Sequence, residues 1–214
     1  MPRPRVLIAD DHPLILEGFR RILEPHYEIV GTAADGRGLV AAAERLRPDV
    51  VLLDIGMPLL NGIEAARQIR ASLPKTRLVV VTQQAGRQYI QAAFRAGVSA
   101  YVVKQSAAAD LLSALGDALD GRYYITPALT KEFPEALLDP RRNPAGLFAS
   151  ELTPRQREVL QLLAEGKSAK EIAAVLKISA KTVEFHKASI MDELGLRTTA
   201  ELTRYAVANG IVDA

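Results

Sequence analysis

Short apolar runs alternate with longer segments of helical period over residues 5–120. The runs are rich in β-branched residues, which is typical of buried strands, and they lie at 6–9, 29–30, 50–53, 78–81 and 101–103. The intervening segments repeat apolar residues every three or four positions, which predicts helices at 13–24, 37–46, 62–72, 87–96 and 106–119. This alternation predicts an α/β domain, a five-stranded doubly wound parallel sheet with helices on both faces.

The pattern changes after residue 122. Residues 123–150 carry four prolines and little periodicity, which predicts a linker between a first domain at 1–122 and a second at 151–214. In the second domain Thr153, Ser168 and Thr198 are each followed three positions later by Gln or Glu, the pattern of a helix capping box. We therefore expect an all-α domain of four helices, at 154–164, 169–175, 180–193 and 199–208.

Composition limits the chemistry of the chain. Cysteine is absent, which excludes disulfides, thiolate metal sites and cysteine nucleophiles. No apolar run approaches the roughly 20 residues of a membrane span, and no signal segment precedes the first strand, so we expect a cytoplasmic protein without membrane contact. Net charge is only +2, and residues 151–214 hold nine basic and nine acidic residues. Evidence for nucleic-acid binding must therefore come from the placement of charges.

Polar side chains follow four of the predicted strands. Asp10 and Asp11 follow the first, Asp54 the third, Thr82 the fourth and Lys104 the fifth. Ligands of open α/β sheets bind outside these carboxyl ends, so we expect the five side chains to meet there. Each has a simpler explanation alone, since Asp10–Asp11 is a favourable helix cap and Lys104 a common solvated strand end. Their coincidence favours a functional site.

Clustered carboxylates repel each other unless a hard divalent cation neutralises them, and Mg²⁺ prefers oxygen ligands. The expected metal ligands are Asp10, Asp11, Asp54 and the backbone carbonyl of Gly56. Asp54 is the candidate nucleophile toward a phosphoryl group, giving an acyl phosphate. Lys104 and Thr82 are then expected to bind the phosphoryl oxygens.

The segments 6–11, 51–58 with Gly62, and 96–104 resemble the receiver domain of bacterial response regulators. The resemblance implies a flavodoxin-like strand order, 2-1-3-4-5, and phosphotransfer from a sensor histidine kinase to Asp54. It also implies a switch in which Thr82 moves toward the phosphate and the Tyr101 ring turns inward, although Tyr101 alone would be an ordinary aromatic of an outer strand. Gln83 departs from the small residue usual in the family and predicts an altered acyl-phosphate lifetime.

The segments 152–160, 166–173 and 178–187 resemble the LuxR-type helix-turn-helix, with 180–193 as the recognition helix. At 100° per residue Val183, Ile190 and Leu194 form its buried face, which leaves Phe185 exposed. The expected DNA-binding residues are Lys167, Lys170, Lys181, Thr182, Glu184, Phe185, Lys187 and Ala188. In the last helix the resemblance implies a dimer surface, assigned to Leu202, Tyr205 and Ala206. The alternative is a helical bundle that binds protein.

The whole chain resembles a NarL/FixJ-type response regulator. The resemblance implies that phosphorylation at Asp54 shifts the receiver to a state that dimerises and controls promoter binding and transcription. An aspartyl-phosphate hydrolase is an alternative, but such enzymes place an acid–base aspartate where this chain has Gly56, so we expect no enzyme activity. A regulator that binds DNA without phosphorylation is the remaining alternative, and the complete acidic cluster argues against it.

Overall fold

The structure is a computed structural model, and it describes residues 2–106, 108–130 and 152–212. Internal contacts divide the chain into two compact units, residues 1–144 and 145–214. Each unit is described by itself below.

The first unit is built on one parallel sheet. Its strands are β1 (Arg5–Ala9), β2 (Glu28–Ala33), β3 (Val50–Leu53), β4 (Arg77–Thr82), β5 (Ala100–Val103) and β6 (Tyr124–Ile125). They lie in the order β2-β1-β3-β4-β5-β6, and every neighbouring pair is parallel. The predicted order 2-1-3-4-5 is thus confirmed for the five strands that the sequence indicates.

Helices cover both faces of this sheet. They are α1 (Pro13–Leu23), α2 (Gly36–Leu46), α3 (Gly62–Ser72), α4 (Arg87–Arg95), α5 (Ala108–Leu119) and the short α6 (Pro127–Thr130). Successive residues of a strand point to opposite faces, so Leu7 packs into a core with α2, α3 and α4 while Ile8 packs into one with α1 and α5. The predicted doubly wound α/β architecture is confirmed.

The prediction of five strands was incomplete, because β6 adds a sixth at the edge beside β5. Tyr124 pairs with Ala100, and Ile125 pairs with Tyr101. A run of two residues ahead of Pro127 is too short to show a strand period, so the sequence carries no signal for it. The sheet therefore continues into the first residues of the predicted linker, whose remaining residues from 131 to 150 lie outside the described part of the chain.

The second unit is helical over its described residues. It comprises α7 (Pro154–Ala164), α8 (Ala169–Leu176), α9 (Ala180–Glu193) and α10 (Thr199–Ala208). All three predicted capping boxes are present, with Thr153, Ser168 and Thr198 accepting from the third residue of their helices while that residue's side chain binds back. α7 contacts each of the other three helices, and α8 packs on α9. In the part of the chain that the structure describes, no helix has the length and apolarity of a membrane span.

Candidate functional site

The carboxyl ends of β1 and β3 bring the acidic residues together. Ala9 pairs with Leu53 in the parallel register, so the residues that follow them, Asp10 and Asp54, emerge side by side. The Asp54 N–H donates to the Ala9 carbonyl at 3.0 Å, which fixes this alignment. The order of strands therefore places two carboxylates that are 44 positions apart in sequence at one edge of the sheet.

Lys104 bridges these two carboxylates. Its Nζ lies 2.5 Å from Asp54 Oδ2 and 2.8 Å from Asp10 Oδ2, and all three side chains are at most 7% exposed. Burial by itself lowers the pKa of Lys104, but its close contacts with the Asp10 and Asp54 carboxylates outweigh that effect and hold the pKa above its ordinary value. Lys104 is thus a charged, buried partner of the acidic residues, and not a solvated strand end.

Asp10 and Asp11 do not serve as helix caps. The N-cap residue of α1 is His12, which makes no side-chain cap. The His12 N–H donates to Asp10 Oδ1 at 3.0 Å, and His12 Nδ1 lies 2.8 Å from Asp11 Oδ1. Asp10 also contacts Lys104 through Oδ2, so helix capping does not account for this carboxylate.

The oxygens of this cluster fit a hard cation. Among the described residues no donor makes a well-oriented hydrogen bond to the buried atoms Asp10 Oδ2 and Asp11 Oδ1, although Lys104 and His12 lie within ion-pair distance. Ligand atoms of Asp10, Asp11 and His12 all lie within 4.8 Å of one another. Buried oxygens without hydrogen bonds are available to a divalent metal, and oxygen is the ligand that Mg²⁺ prefers.

The loop between β3 and α3 closes tightly around Asp54. The Ile55 N–H donates to Asp54 Oδ1 at 2.6 Å, and the Gly62 N–H donates to the Ile55 carbonyl at 2.9 Å. A Cβ atom on Gly62 would lie only 1.9 Å from the Asp54 carbonyl oxygen, so no other residue fits there without moving backbone. Gly56 lies within this loop, two residues after Asp54, and is partly exposed. The steric requirement at Gly62 was not deduced from the sequence.

Thr82 and Tyr101 are connected through the segment that follows β4. Thr82 is buried, and its Oγ1 accepts from the Gln84 N–H at 3.4 Å. The Gln84 carbonyl in turn accepts from the Tyr101 hydroxyl at 2.8 Å. Tyr101 is fully buried, and burial, followed by the nearby charge of Asp54, raises the pKa of its hydroxyl far above the usual range. Gln83 is exposed beside this connection, and its effect on acyl-phosphate lifetime stays a prediction.

Tyr101 is not an aromatic of an outer strand, because β6 covers that side of β5. The cover also brings in a residue that the sequence interpretation missed, Thr126. Its buried hydroxyl accepts from the Val103 N–H at 3.1 Å. A lone threonine before a proline gave no signal for this contact.

The predicted recognition helix α9 is amphipathic in the expected sense. Val183 and Ile190 are fully buried, whereas Leu194, predicted on the same face, is half-buried. Phe185 is 70% exposed, as the helical spacing predicts. The other exposed residues of this face are Lys181, Glu184, Ala188 and Asp192. Thr182 and Lys187 are half-buried at its margins.

The remaining predicted DNA contacts lie before and at the start of α8. Lys170 is exposed in the first turn of α8. Lys167 is partly buried and lies 3.6 Å from Glu165 Oε2, so a contact with phosphate would exchange this weak ion pair for another.

Gln156 of α7, which the sequence predicted only as the capping-box partner of Thr153, also holds the far end of α9. Its Oε1 completes the capping box by accepting from the Thr153 N–H at 2.7 Å. Its Nε2 donates to Ser189 Oγ at 3.2 Å and to Glu193 Oε2 at 2.9 Å. One buried amide therefore joins the start of α7 to the last turns of α9.

The assignment of the dimer surface needs a correction. Leu202 and Ala206 are fully buried in the second unit, where α10 packs on α7, so they are not available to a second subunit. Tyr205 is half-buried. The sequence showed an apolar face on this helix but not which partner it packs against. The face of α10 that remains accessible includes Ala200 and Arg204.

Comparison with known proteins matches both units. Residues 6–116 match the response regulator receiver domain, and residues 150–206 match the bacterial regulatory proteins of the luxR family. The chain belongs to the LuxR-family two-component response regulators, which are DNA-binding regulators of transcription. The alternative of a helical bundle that binds protein is therefore wrong.

Relatives match along nearly the whole chain. The transcriptional regulatory protein MctR of Rhizobium johnstonii is 36% identical over 99% of this chain and 96% of its own length. The oxygen regulatory protein NreC of Staphylococcus aureus is 34% identical over 98% of this chain and 99% of its own length. Both relatives are regulatory proteins, and MctR is a transcriptional one.

Solved structures of the response regulator RcsB from Salmonella are also similar. One from Salmonella typhimurium has a TM-score of 0.65 at 29% identity, covering 98% of this chain and 99% of the other. Another, from Salmonella enterica serovar Typhimurium, is bound to promoter rprA in the presence of the phosphomimetic BeF3⁻. It has a TM-score of 0.60 at 30% identity, covering 95% and 98% of the two chains.

Proposed function

We propose that Asp54 accepts a phosphoryl group from a sensor histidine kinase, and that this modification controls dimerisation and promoter binding. The observation that carries the proposal is the bridge from Lys104 to Asp54 and Asp10 at 2.5 and 2.8 Å. A buried cation that joins two buried carboxylates at neighbouring strand ends is poorly explained by stability alone.

In the proposed transfer, an Asp54 carboxylate oxygen forms the new bond to phosphorus. The bond from phosphorus to the imidazole nitrogen of the kinase breaks, and that nitrogen keeps the electron pair. Lys104 changes partner from the Asp54 carboxylate to an oxygen of the phosphoryl group, and the Thr82 hydroxyl donates to another. The Ile55 N–H at 2.6 Å orients the carboxylate before the reaction.

Asp10, Asp11, Asp54 and the Gly56 carbonyl are the proposed Mg²⁺ ligands. When bound, the ion neutralises the carboxylates and offsets the charge of the incoming phosphoryl group. The buried oxygens of Asp10 and Asp11 that lack well-oriented hydrogen bonds support this assignment.

In the proposed switch, a movement of Thr82 toward the phosphoryl group changes the position of Tyr101, and dimerisation follows. Tyr101 is buried with its hydroxyl on the Gln84 carbonyl, which is one of the two positions such a switch requires. A gain of 10–100-fold in DNA affinity needs a coupling free energy of only about 1.4–2.8 kcal/mol between the Asp54 site and the DNA-binding site. After the correction above, the proposed contact between subunits lies on the accessible face of α10.

The proposed DNA contacts follow from the exposed face of α9. Phe185 contacts a thymine methyl and Glu184 accepts from cytosine N4, with Ala188 close to the same bases. Lys181 and Thr182, at the start of the helix, contact phosphate. The other proposed phosphate contacts are Lys167, Lys170 and Lys187.

The test compares wild type with Asp54→Asn, using beryllofluoride and Mg²⁺ as the phosphate mimic. Sedimentation measures association, and fluorescence anisotropy measures affinity for a DNA duplex selected by the wild-type chain from a random-sequence library. We expect wild type to dimerise and gain roughly 10–100-fold in affinity with the mimic, and Asp54→Asn to do neither.

The control is Asp120→Asn, which changes an exposed carboxylate whose partner is the surface residue Arg122. It should respond as wild type does. A response of Asp54→Asn equal to that of wild type would remove Asp54 as the phosphoacceptor and leave a regulator that binds DNA without phosphorylation.

A further inference from the structure

Thr126 occupies a position where its hydroxyl is expected to cap a helix. It precedes Pro127, the first residue of α6, and a threonine there usually accepts from a backbone N–H of the first turn. Here the Leu129 N–H donates to the Thr126 carbonyl at 2.8 Å, and the hydroxyl is used elsewhere. The side chain is 3% exposed, so its contacts are made inside the unit.

Within the described parts of the chain, the other polar contacts of Thr126 go to one short segment, residues 101–106. Its N–H donates to the Tyr101 carbonyl at 3.0 Å. Its hydroxyl oxygen accepts from the Val103 N–H at 3.1 Å and from Ser106 Oγ at 3.3 Å. This segment carries both Lys104 and the proposed switch residue Tyr101.

The same segment is held to the acidic site on its other side. The Lys104 N–H donates to the Thr82 carbonyl at 2.8 Å, while the Lys104 ammonium bridges Asp54 and Asp10. The Ser106 N–H donates to the Val103 carbonyl at 2.8 Å and closes residues 103–106 into one turn. A displacement of Lys104 therefore moves the donors that Thr126 binds.

We propose that Thr126 is a positioning residue that transmits the state of the Asp54 site to α6, the element from which the chain continues toward the DNA-binding unit. The proposal rests on the proposed function and adds the route by which one unit controls the other. The hydroxyl is the required group, because two donors from the Lys104 turn converge on a single oxygen. Without it both donors lose their partner, and the residue that precedes α6 loses its side-chain contact with that turn.

The decisive variant is Thr126→Val, which keeps the shape of the side chain and removes the hydroxyl. Thr126→Ser restores the hydroxyl, and Thr32→Val is a matched control at an exposed position of β2. Each full-length chain is measured for beryllofluoride binding in Mg²⁺ by ¹⁹F NMR and for affinity to the selected duplex with and without the mimic.

We expect Thr126→Val to bind beryllofluoride within about twofold of wild type, while its gain in DNA affinity falls from roughly 10–100-fold to below about threefold. Thr126→Ser and Thr32→Val should keep the full gain. A full gain in Thr126→Val, or an equal loss in Thr126→Ser, overturns the proposal. Loss of beryllofluoride binding in Thr126→Val also overturns it, because Thr126 would then act on the Asp54 site itself.

If Thr126→Val does not fold, Ser106→Ala is the variant that tests the proposal. It removes one of the two donors to the Thr126 hydroxyl, and Ser106 is partly exposed. A reduced gain supports the proposal, and an unchanged gain overturns it. Failure of the proposed function is seen separately, since wild type itself would then show no gain with the mimic.

Discussion

The acidic site of the first unit and the recognition face of α9 are built in opposite ways. The acidic site joins Asp10, Asp54 and Lys104 from the ends of three strands, and it is almost completely buried. The proposed recognition face comes from one continuous helix, whose opposite face carries the fully buried residues Val183 and Ile190. The side chains proposed to contact DNA, such as Phe185, are largely exposed.

This difference predicts how substitutions act. A change in the acidic site alters charge balance inside a packed sheet, so stability and function should change together. A change on the exposed face of α9 removes only a contact with DNA, so function should change alone. Stability and DNA affinity measured on the same variants test whether the two regions differ in this way.

The largest effect on stability is expected for Lys104→Met. The variant leaves two buried carboxylates without their cation, and breaking a buried pair in this way costs about 3–5 kcal/mol. The loss in free energy of unfolding is measured by urea unfolding, with tyrosine fluorescence as the signal. The chain has no tryptophan, and five of its six tyrosines lie in the first unit. Mg²⁺ should restore more stability to the variant than to wild type. A change below about 1 kcal/mol would show that the bridge does not balance these charges.

A smaller loss is expected for Gly62→Ala. The added Cβ would meet the carbonyl oxygen of Asp54 at 1.9 Å and its carbonyl carbon at 2.8 Å, so the loop that carries Asp54 must move. We expect a loss of about 1–3 kcal/mol together with weaker beryllofluoride binding.

The matched control is Gly116→Ala in α5, where an added Cβ has no neighbour within 4 Å among the described residues. It should gain about 0.5–1 kcal/mol, because glycine in a helix costs conformational entropy. Equal effects at the two glycines would refute the steric explanation for Gly62.

The sequence predicted what depends on local pattern. The capping boxes at Thr153, Ser168 and Thr198 were correct because both partners lie within four residues. The cluster at the strand ends could also be predicted from the sequence. Parallel strands bring their carboxyl ends to one edge of the sheet, and the polar residues there interrupt apolar runs.

The features that were missed depend on contacts between distant residues. β6 is only two residues long and exists because β5 offers it an edge. Gly62 is constrained by the Asp54 carbonyl, and Thr126 by the Val103 N–H. For Leu202 the apolar face of the helix was predicted correctly, but its partner, α7 of the same chain, was not.

The smallest effect on stability is expected for Phe185→Ala. The ring is 70% exposed, so the free energy of unfolding should change by less than about 0.5 kcal/mol. Val183→Ala, two positions earlier and fully buried, should cost about 1–3 kcal/mol.

DNA affinity should show the reverse order. Loss of an apolar contact with a base, on the order of 1 kcal/mol, predicts that Phe185→Ala binds the selected duplex about fivefold more weakly. The ring carries no charge, so the slope of log affinity against log salt concentration should stay as in wild type. Lys181→Ala should make this negative slope shallower by about 1. A changed slope in Phe185→Ala would mean that the substitution displaces the whole helix, and α9 would then resemble the acidic site in linking stability to function.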